Sequence, residues 1–382
     1  MKILFLESFF GGSHRDFVLG LKEYSRHKID ILSLPAKNWK WRMRGSALYF
    51  IQQIKTIDEY DLIFVTDMIN LSDFMALLPV VSTPVIFYFH ENQLTYPLTP
   101  DKKKRQGADL QFGYTNITSA LGATKILFNS QFQLNEFILK IDKLIEIAPD
   151  FKLPWIKKNI LGKSKVLYPG CRFSGTSPEF VKEKSFNPEV PLIIWNHRWE
   201  WDKNPQDFFA VLRKLKEKKV PFKLALVGEI YGEIPKIFRD AQLEFRDEIT
   251  SFGYIESKKD YMSLLHKGSI VISTAIQENF GISVVEAVRM GCIPLLPDRL
   301  SYPEIMPEKY FDKILYSDEI DFFMKLEDML LNYSEYFALK EQLSTCMEKY
   351  SWEVLIKEYD REFERVVGEA NEQVTKKSVF NN

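Results

Sequence analysis

Two carboxylates eight residues apart carry the most specific chemical signal in this sequence. In the segment QENFGISVVEAVRMGCIP (277–294), Glu278 follows an apolar run, and Glu286 falls in the first turns of a predicted helix. Carboxylates accept hydrogen bonds from vicinal sugar hydroxyls, and backbone N–H groups at a helix N-terminus bind phosphate. The pattern predicts a site for a phosphorylated sugar, with the helix start at Phe280, Gly281 and Ile282. The alternative is a loop glutamate followed by a solvated helix glutamate.

Two cations lie five residues apart on one predicted loop. Arg198 and Lys203 occur in HRWEWDKNP (197–205), directly after the apolar run PLIIWN. A forked guanidinium and a compact ammonium on one loop can bind a diphosphate together. Taken alone, the same pair is also compatible with two ordinary surface charges.

The first half of the chain has its own candidate site residues at predicted strand ends. Gly11 and Gly12 follow the first apolar run and precede Ser13, a possible helix cap, and His14. Glycines allow a backbone to approach a ligand closely. His90 closes a later run, PVIFYFH. A two-glycine loop and a lone histidine at a strand end are also compatible with purely structural roles.

Short apolar runs that alternate with helical patterns must position these residues. The runs are KILFLES, KIDILSL, DLIFVTD, PVIFYFH, KILFNS and KVLYP in the first half, and PLIIWNH, FKLALVG, SIVIST and CIPLLP in the second. Alternation of this kind predicts parallel sheets covered by helices on both faces. We therefore expect an α/β protein with two Rossmann-like, doubly wound domains. Because ligands bind at the carboxyl ends of parallel strands, we expect the two sets of motif loops to face each other across a cleft.

Composition shifts predict the limits of these domains. We expect an N-terminal domain at 1–170, a polar, proline-containing linker at 171–190 and a C-terminal domain at 191–367. From about Asp318 onward the pattern indicates two or three amphipathic helices. The polar residues 368–382 are expected to be disordered.

The composition excludes several classes of protein. In a chain of 382 residues, 51 Lys and Arg nearly balance 52 Asp and Glu, so any nucleic-acid contact must be a local patch. The three cysteines, Cys171, Cys292 and Cys346, have neither paired nor metal-ligand spacing, which favours a reducing compartment. We find no signal peptide and no apolar stretch long enough to span a bilayer. A cytoplasmic protein is therefore expected.

The second-half motifs resemble those of retaining glycosyltransferases of the GT-B type, in which two Rossmann-like domains face each other. Glu278 and Glu286 match the E-x7-E signature, which implies that the first contacts the transferred sugar and the second the nucleotide ribose. Arg198 and Lys203 match the R-x4-K clamp on the diphosphate. The resemblance also implies donor contacts at Gly11, Gly12, Gly228, Tyr254 and Ile255, and a sugar-facing role for His90. Such enzymes are described as front-face catalysts in which the departing phosphate takes the acceptor proton, and we expect no metal requirement.

Longer segments resemble one narrower family, the queuosine-tRNA mannosyltransferases. The matching segments between residues 7 and 305 are ESFFGGSH, LPAKNWKWRMRGSALYF, YFHENQLTYP, DLQFGYTNITS, FNSQF, HRWEWDKNP, EAVRMGCIPLLP and YPEI. The resemblance implies transfer of mannose from GDP-mannose to queuosine in a tRNA anticodon. No residue that we can isolate distinguishes guanine from uracil or mannose from glucose.

With a tRNA substrate implied, the segment LPAKNWKWRMRGSALYF (34–50) is interpreted as an RNA surface, because cations bind phosphates and aromatic rings stack on unpaired bases. The residues are Lys37, Trp39, Lys40, Trp41, Arg42 and Arg44, followed by an ALYF segment expected to be helix core. A basic loop packed on its own tryptophans is the alternative. The cationic run 102–105 either extends the surface or is simply solvated.

Polar residues of DLQFGYTNITS, together with His14, are candidates for binding the hydroxyls of the queuosine diol. They are Asp109, Gln111, Tyr114 and Asn116, and a helix with scattered polar residues explains them nearly as well.

Two rival functions stay open at this point. A GT-B enzyme could act on a lipid or polysaccharide acceptor, although no basic amphipathic helix near the N-terminus favours this. A non-catalytic RNA-binding protein could retain the scaffold, but the joint presence of both donor motifs disfavours it.

Overall fold

A computed structural model describes residues 1–79, 82–97, 110–150, 152–173, 189–230 and 232–380, with backbone alone for 373–380. It divides into two compact units. The first comprises Met1–Gly170 together with Trp352–Asn382, and the second comprises Cys171–Ser351. Within the described residues, no helix combines the length and apolar character needed to cross a membrane.

The first unit is built on a parallel sheet of six strands in the order β2-β1-β3-β4-β5-β6. The strands are β1 Lys2–Phe10, β2 Lys28–Pro35, β3 Leu62–Thr66, β4 Val85–Phe89, β5 Lys125–Phe128 and β6 Ser164–Val166. Its helices before residue 170 are Gly12–Tyr24, Trp39–Gln53, Leu71–Leu77, Leu110–Gly122, Gln131–Ile147 and Trp155–Gly162. Because successive side chains of a strand point to opposite faces, Ile3 and Phe5 join one buried cluster while Leu4 and Leu6 join another. Both faces of the sheet are therefore core, which explains the continuous apolar runs.

The second unit repeats this architecture with the strand order β12-β11-β10-β7-β8-β9. The strands are β7 Leu192–Trp195, β8 Lys223–Val227, β9 Ile249–Gly253, β10 Ile270–Ile272, β11 Ile293–Pro297 and β12 Leu315–Tyr316. The helices are Pro205–Glu217, Lys236–Glu244, Lys258–Lys267, Ile282–Arg289, Tyr302–Ile305, Phe311–Ile314, Glu319–Leu331 and Phe337–Met347. In the first sheet β2 lies on one side of β1 and β3 on the other, and in the second sheet β8 lies on one side of β7 and β10 on the other. The strand order therefore reverses between β1 and β3 and between β7 and β10. Such reversal points are where open α/β sheets bind ligands.

The last helix, Trp352–Phe380, belongs to the first unit and corrects two expectations. The C-terminal domain does not extend to residue 367, and residues 368–380 are helical rather than disordered. The physical reason is an apolar face that includes Trp352, Tyr359 and Phe363, which packs into the core cluster containing Ile3 and Phe5. An amphipathic pattern shows that such a face exists but not which sheet it covers.

Two glycines make room for this helix. A Cβ at Gly20 would lie 2.1 Å from Trp352 Nε1, and one at Gly170 would lie 2.2 Å from Trp352 Cδ2. Three helices follow Asp318, as predicted. Of the predicted linker 171–190, residues 174–188 lie outside the described residues.

Candidate active-site residues

The two donor motifs of the second unit meet at the carboxyl ends of β7 and β10, which are neighbouring strands. Lys203 lies in the 3₁₀ turn Trp201–Lys203 after β7, and its Nζ donates to the Gln277 carbonyl oxygen at 2.7 Å and to Glu278 Oε2 at 3.2 Å. Burial alone would raise the pKa of Glu278, but the Lys203 charge lowers it below its ordinary value. The carboxylate is therefore held ionised beside a buried ammonium, an arrangement that can bind both sugar hydroxyls and a phosphate.

Arg198 is placed differently from Lys203. Its side chain is 39% exposed and pairs with Glu200 at 3.4 Å, whereas the Lys203 side chain is only 8% exposed. The Arg198 guanidinium can therefore turn toward an anion at little cost. The Lys203 ammonium is already fixed by its contacts with Gln277 and Glu278. The sequence pattern alone could not show that Arg198 is partly exposed while Lys203 is buried.

A glycine and a buried histidine fix the loop that carries both cations. A Cβ at Gly228 would lie 1.8 Å from the His197 carbonyl oxygen, so only glycine fits at this end of β8. His197 Nε2 lies 3.2 Å from the Ile272 carbonyl oxygen. Burial, followed by the Lys203 charge, lowers the pKa of His197 to about 4, so the imidazole is neutral and donates to that carbonyl. The donor contact at Gly228 stays a prediction, whereas its packing against His197 is set by the geometry.

The helix Ile282–Arg289 begins at Gly281, which has a φ of 97° in the left-handed region that favours glycine. Gly281 has no side chain with which to cap the helix, and its carbonyl oxygen accepts from the N–H groups of Val284 and Val285 at 3.0 Å each. An anion could accept from the preceding N–H groups, those of Ile282 and Ser283. Ser301 ties Phe280 and Glu278 to this turn, because its Oγ donates to the Phe280 carbonyl oxygen at 2.9 Å and lies 3.5 Å from the Glu278 carbonyl oxygen. The turn can therefore hold an anion next to Glu278.

Glu286 is buried rather than solvated, and a lysine that sequence reasoning missed lies against it. Lys258, in the helix Lys258–Lys267, forms an ion pair with Glu286. Tyr261 lies close enough for the Glu286 charge to raise the pKa of its hydroxyl, after the larger effect of burial. Asn196 Nδ2 donates to Tyr261 Oη at 2.9 Å and to the Ser283 carbonyl oxygen at 2.8 Å. Lys258 and Glu286 are far apart in the sequence, and their spacing is not distinctive. Only the fold could therefore show that they form a pair.

The predicted donor-contacting residues Tyr254 and Ile255 lie directly after β9. Gly253 has a φ of 102°, and the chain then exposes 61% of Tyr254 while Ile255 is half-buried. These two residues thus lie at or near the surface, where a donor could reach them.

In the first unit, a polar cluster occupies the equivalent reversal point. Glu7 at the end of β1 is fully buried, and its Oε2 lies 3.3 Å from His14 Nδ1. The His14 ring lies 4.1 Å, centroid to centroid, from the His90 ring at the end of β4. Asp67, after β3, accepts a hydrogen bond from the His90 backbone N–H at 2.9 Å. The ligand-type atoms of Glu7, His14 and His90 all lie within 4.8 Å of one another, a donor set that a metal ion could also use.

The charges in this cluster are unequal. Burial alone would lower the pKa of His14, but the Glu7 carboxylate raises it to about 9. The pKa of His90 is lowered well below its ordinary value by burial and by the His14 charge, and burial raises the pKa of Asp67. The structure brings the predicted His14 and His90 together. Glu7 and Asp67 were missed, although a charged residue ending a buried apolar run is a usable signal.

The predicted glycine loop has a packing role. A Cβ at Gly11 would lie 2.4 Å from Ala36 Cβ, and Gly12 has a φ of 49°. The helix Gly12–Tyr24 starts with Gly11 at its cap position, so Ser13 lies inside the first turn and is not the predicted cap.

Most of the basic segment 34–50 is helical: it comprises the end of β2, a short connection at 36–38 that contains Lys37, and the helix Trp39–Gln53 up to Phe50. Trp39 packs 5.2 Å from Phe112, and Lys40 and Arg44 lie over the same Phe112 ring at 5.6 Å each. Trp41, in contrast, is 74% exposed. The exposed or partly exposed members of this basic-aromatic surface are Lys37, Trp39, Lys40, Trp41, Arg42 and Arg44. The ALYF segment is only half core, because Ala47 and Phe50 are buried while Leu48 and Tyr49 are exposed.

The predicted acceptor residues separate into two groups. Gln111 accepts from Arg44 Nη2, and Tyr114 is 45% exposed, so both belong to the basic-aromatic surface. Asn116 is fully buried, accepting from the Gln93 N–H at 2.8 Å and donating to the Asp67 carbonyl oxygen at 3.4 Å. Asn116 therefore holds the loop after β4, and its contact with an acceptor stays a prediction. Asp109 and the run 102–105 lie outside the described residues.

Comparison with known proteins matches both units. Residues 2–171 match the family described as tRNA-queuosine alpha-mannosyltransferase N-terminal, and residues 176–342 match Glycosyl transferases group 1. A protein of Drosophila melanogaster named tRNA-queuosine alpha-mannosyltransferase is 39% identical over 319 residues, which cover 80% of this chain and 82% of that protein.

Solved structures show the same fold at low identity. Sucrose-phosphate synthase from Thermosynechococcus elongatus has a TM-score of 0.72 at 11% identity, covering 96% of this chain and 100% of that one. The Anabaena protein HepE, in complex with UDP and glucose, has a TM-score of 0.66 at 14% identity with the same coverage. Together with the group 1 family match, these similarities confirm the predicted GT-B fold of two Rossmann-like domains.

Proposed function

This chain belongs to the tRNA-queuosine alpha-mannosyltransferase family of group 1 glycosyltransferases, and from that membership we propose that it transfers mannose from GDP-mannose to queuosine in tRNA with retention of configuration. The observation that carries the donor half of this proposal is the contact of Lys203 Nζ with Glu278 Oε2 at the ends of adjacent strands. Guanosine and mannose follow from the family and not from any residue that we can isolate.

The second unit supplies the groups that a departing diphosphate needs. As the glycosidic bond breaks, negative charge grows on the phosphate, and Lys203, Arg198 and the helix N-terminus after Gly281 stabilise that charge. Lys203 and the turn are already fixed by packing, so little reorganisation is needed when the charge develops. Glu278 accepts hydrogen bonds from the sugar hydroxyls, and the departing phosphate oxygen takes the acceptor proton.

Glu286 is proposed to bind the ribose hydroxyls. Its ion pair with Lys258 fixes the carboxylate but also competes for it. A bound nucleotide would therefore share Glu286 with Lys258, or move the lysine, whose side chain is 48% exposed, aside.

The first unit is proposed to bind the tRNA. The basic-aromatic surface offers Trp41 for stacking and Lys37, Lys40, Arg42 and Arg44 for phosphates. His14 and His90 are proposed to contact the substrate near the reacting hydroxyls. With a tRNA substrate, a cytoplasmic location is also proposed.

Two protein cations on the diphosphate provide the charge that a divalent metal provides in other sugar-nucleotide enzymes. We therefore expect transfer to proceed in EDTA at the same rate as in magnesium. Loss of transfer in EDTA with recovery on adding magnesium would overturn this part of the proposal.

The test of the proposed function uses purified full-length protein and tRNA with or without queuosine. Each mixture of protein and tRNA receives GDP-mannose, GDP, UDP-glucose or UDP. The tRNA is then digested, and its nucleosides are analysed by mass spectrometry. We expect a hexose increment on queuosine with GDP-mannose alone. Labelling of added lipid or glycan acceptors would instead support another GT-B activity, and tRNA binding without any transfer would support a non-catalytic RNA-binding protein.

A further inference from the structure

The carboxylate of Asp202 is buried beside the donor motifs without a hydrogen bond. Asp202 lies in the 3₁₀ turn Trp201–Lys203 and is fully buried. Within the part of the chain that the structure describes, neither of its side-chain oxygens accepts a hydrogen bond. Burying a carboxylate in this state is costly, and buried polar groups without a partner are rare in folded proteins. Asp202 therefore needs a partner in another state of the site.

The ammonium of Lys203 lies next to this carboxylate but is hydrogen-bonded elsewhere. Its Nζ is 3.5 Å from Asp202 Oδ2, which makes an ion pair without a hydrogen bond. The same Nζ donates to the Gln277 carbonyl oxygen at 2.7 Å and to Glu278 Oε2 at 3.2 Å. An ammonium has three N–H donors, and its hydrogen bonds to a carboxylate are normally about 2.7–2.9 Å long. A small rotation of the lysine side chain would therefore turn the Asp202 ion pair into a hydrogen bond.

The backbone segments that carry these groups are bonded to each other. The Asp202 carbonyl oxygen accepts from the N–H groups of Ile276 at 2.7 Å and Gln277 at 3.4 Å. Thr274 Oγ1 donates to the Lys203 carbonyl oxygen at 2.9 Å. The turn after β7 and the loop after β10 are thus held together, so the movement left to the ammonium is that of its own side chain.

We infer that Asp202 is a positioning residue that takes over the Lys203 ammonium when sugar hydroxyls occupy Glu278. This role rests on the proposed function, in which Glu278 binds the transferred sugar. Hydroxyl groups that donate to Glu278 compete with Lys203 for its oxygens, and a buried ammonium that loses its carboxylate is strongly destabilised. With Asp202 beside it, the ammonium keeps the Gln277 carbonyl oxygen, gains Asp202 and has a third N–H for the diphosphate. Asp202 acts through Lys203 and does not touch the donor.

The first measurement needs no donor. In a Glu278→Gln variant the competing negative charge is absent, so Lys203 should turn toward Asp202 in the ligand-free protein. The crystal structure of this variant is expected to show Lys203 Nζ within about 3 Å of an Asp202 side-chain oxygen. An ammonium that keeps its contact with position 278 and stays 3.5 Å or more from Asp202 would overturn the inference, whether or not the protein transfers sugar.

The second measurement separates the sugar from the diphosphate. Titration calorimetry of the full chain gives the Kd of GDP-mannose and of GDP for the wild type and for Asp202→Leu, which has a similar branched shape and no acceptor. Lys203 keeps Glu278 in this variant, so it should stay folded. The Kd of GDP-mannose should rise about 10-fold, the scale of one hydrogen bond to a charged group, while the Kd of GDP, which has no sugar to occupy Glu278, should change little. Asp202→Asn keeps one acceptor oxygen and should lose less. Equal weakening of both ligands, or of neither, would contradict the inference.

A matched control is Thr274→Val, which loosens the same turn without changing a charge. Thr274 is buried, and its Oγ1 donates to the carbonyl oxygens of Lys203 and Asn204 at 2.9 Å each. This variant should weaken GDP and GDP-mannose by the same factor. A loss confined to GDP-mannose in Thr274→Val as well would assign the effect to the turn and overturn the inference.

Failure of the proposed function would look different. A wild type that bound neither ligand and transferred no sugar would contradict the proposed function. The ligand-free structure of Glu278→Gln would still decide whether Asp202 takes over Lys203.

Discussion

At the scale of single residues, Lys203 and Glu278 are both a binding pair and a structural pair. Each is largely buried, and Lys203 pairs both with Glu278 at 3.2 Å and with the buried Asp202 at 3.5 Å. Removing one member of a buried pair leaves an uncompensated charge, which costs about 3–5 kcal/mol, whereas replacing both with neutral groups of similar shape is far less costly. A loss of activity in Lys203→Ala alone would therefore mix folding with catalysis.

The double substitution Lys203→Met with Glu278→Gln separates the two effects. We expect it to unfold at a higher denaturant concentration than Lys203→Met alone, and below the wild type because the buried Asp202 loses its ion pair with Lys203 in both variants. We expect kcat of the double variant to stay at least 100-fold below wild type, because removing one transition-state donor costs about 3–4 kcal/mol. Urea titration and transfer kinetics check this. Recovery of turnover together with stability would assign the pair a structural role only.

His197 predicts how stability depends on pH. Its pKa in the folded protein is about 4, below the ordinary value of 6.5. As pH falls from 6.5 toward 4, the unfolded state binds the proton and the folded state does not, so the free energy of unfolding decreases by about 3 kcal/mol from this group. Urea unfolding of the second-unit transition at pH 7 and pH 4.5 should show a larger loss for the wild type than for His197→Gln. Equal losses in the two proteins would argue against a buried neutral His197.

At the scale of strands and helices, the sequence predicted most of what positions the site. Continuous apolar runs identified ten of the strands because parallel strands are buried on both faces, and motif loops at their ends marked Glu278, Lys203 and His90. The short β12 and the exposure of Leu48 and Tyr49 were not predictable from periodicity. The sequence did not predict Glu7, Asp67 and Lys258. Their contacts depend on which strands and helices become neighbours, and a sequence without its fold does not show this.

The helix Trp39–Gln53 carries a prediction about tRNA. Trp41 is 74% exposed, so Trp41→Ala should fold normally, yet lose about 1–3 kcal/mol of tRNA affinity if the ring stacks on a base. Trp155→Ala is the matched control, since Trp155 is 51% exposed on another helix of the same unit. Filter binding of both variants at fixed salt checks this. Equal affinities for the two variants would remove Trp41 from the interface.

At the scale of the whole molecule, the chain leaves the first unit at Gly170 and returns to it at Trp352. The second unit is thus inserted between a Rossmann-like sheet and the helix that completes its core. Folding of the first unit therefore requires residues from both sides of this insertion. A variant truncated after Ser351 would leave an apolar face of the first sheet uncovered.

Trp352→Ala tests this dependence. The indole is buried against Gly20, Gly170, Phe17 and Tyr359. Truncating a buried tryptophan costs about 3–5 kcal/mol, and we expect the loss to appear in unfolding of the first unit. Hydrogen exchange of β1 and β3 amides is the measurement. Unchanged protection of those strands would contradict the assignment of the last helix to this core.

The central claim is that the cations and carboxylates at the ends of β7 and β10 bind the diphosphate of a sugar nucleotide. A crystal structure of the protein with GDP bound tests it most directly. We expect phosphate oxygens within hydrogen-bond distance of Lys203, Arg198 and the first N–H groups of the helix Ile282–Arg289, with the ribose on Glu286. Phosphates bound away from these groups would contradict it.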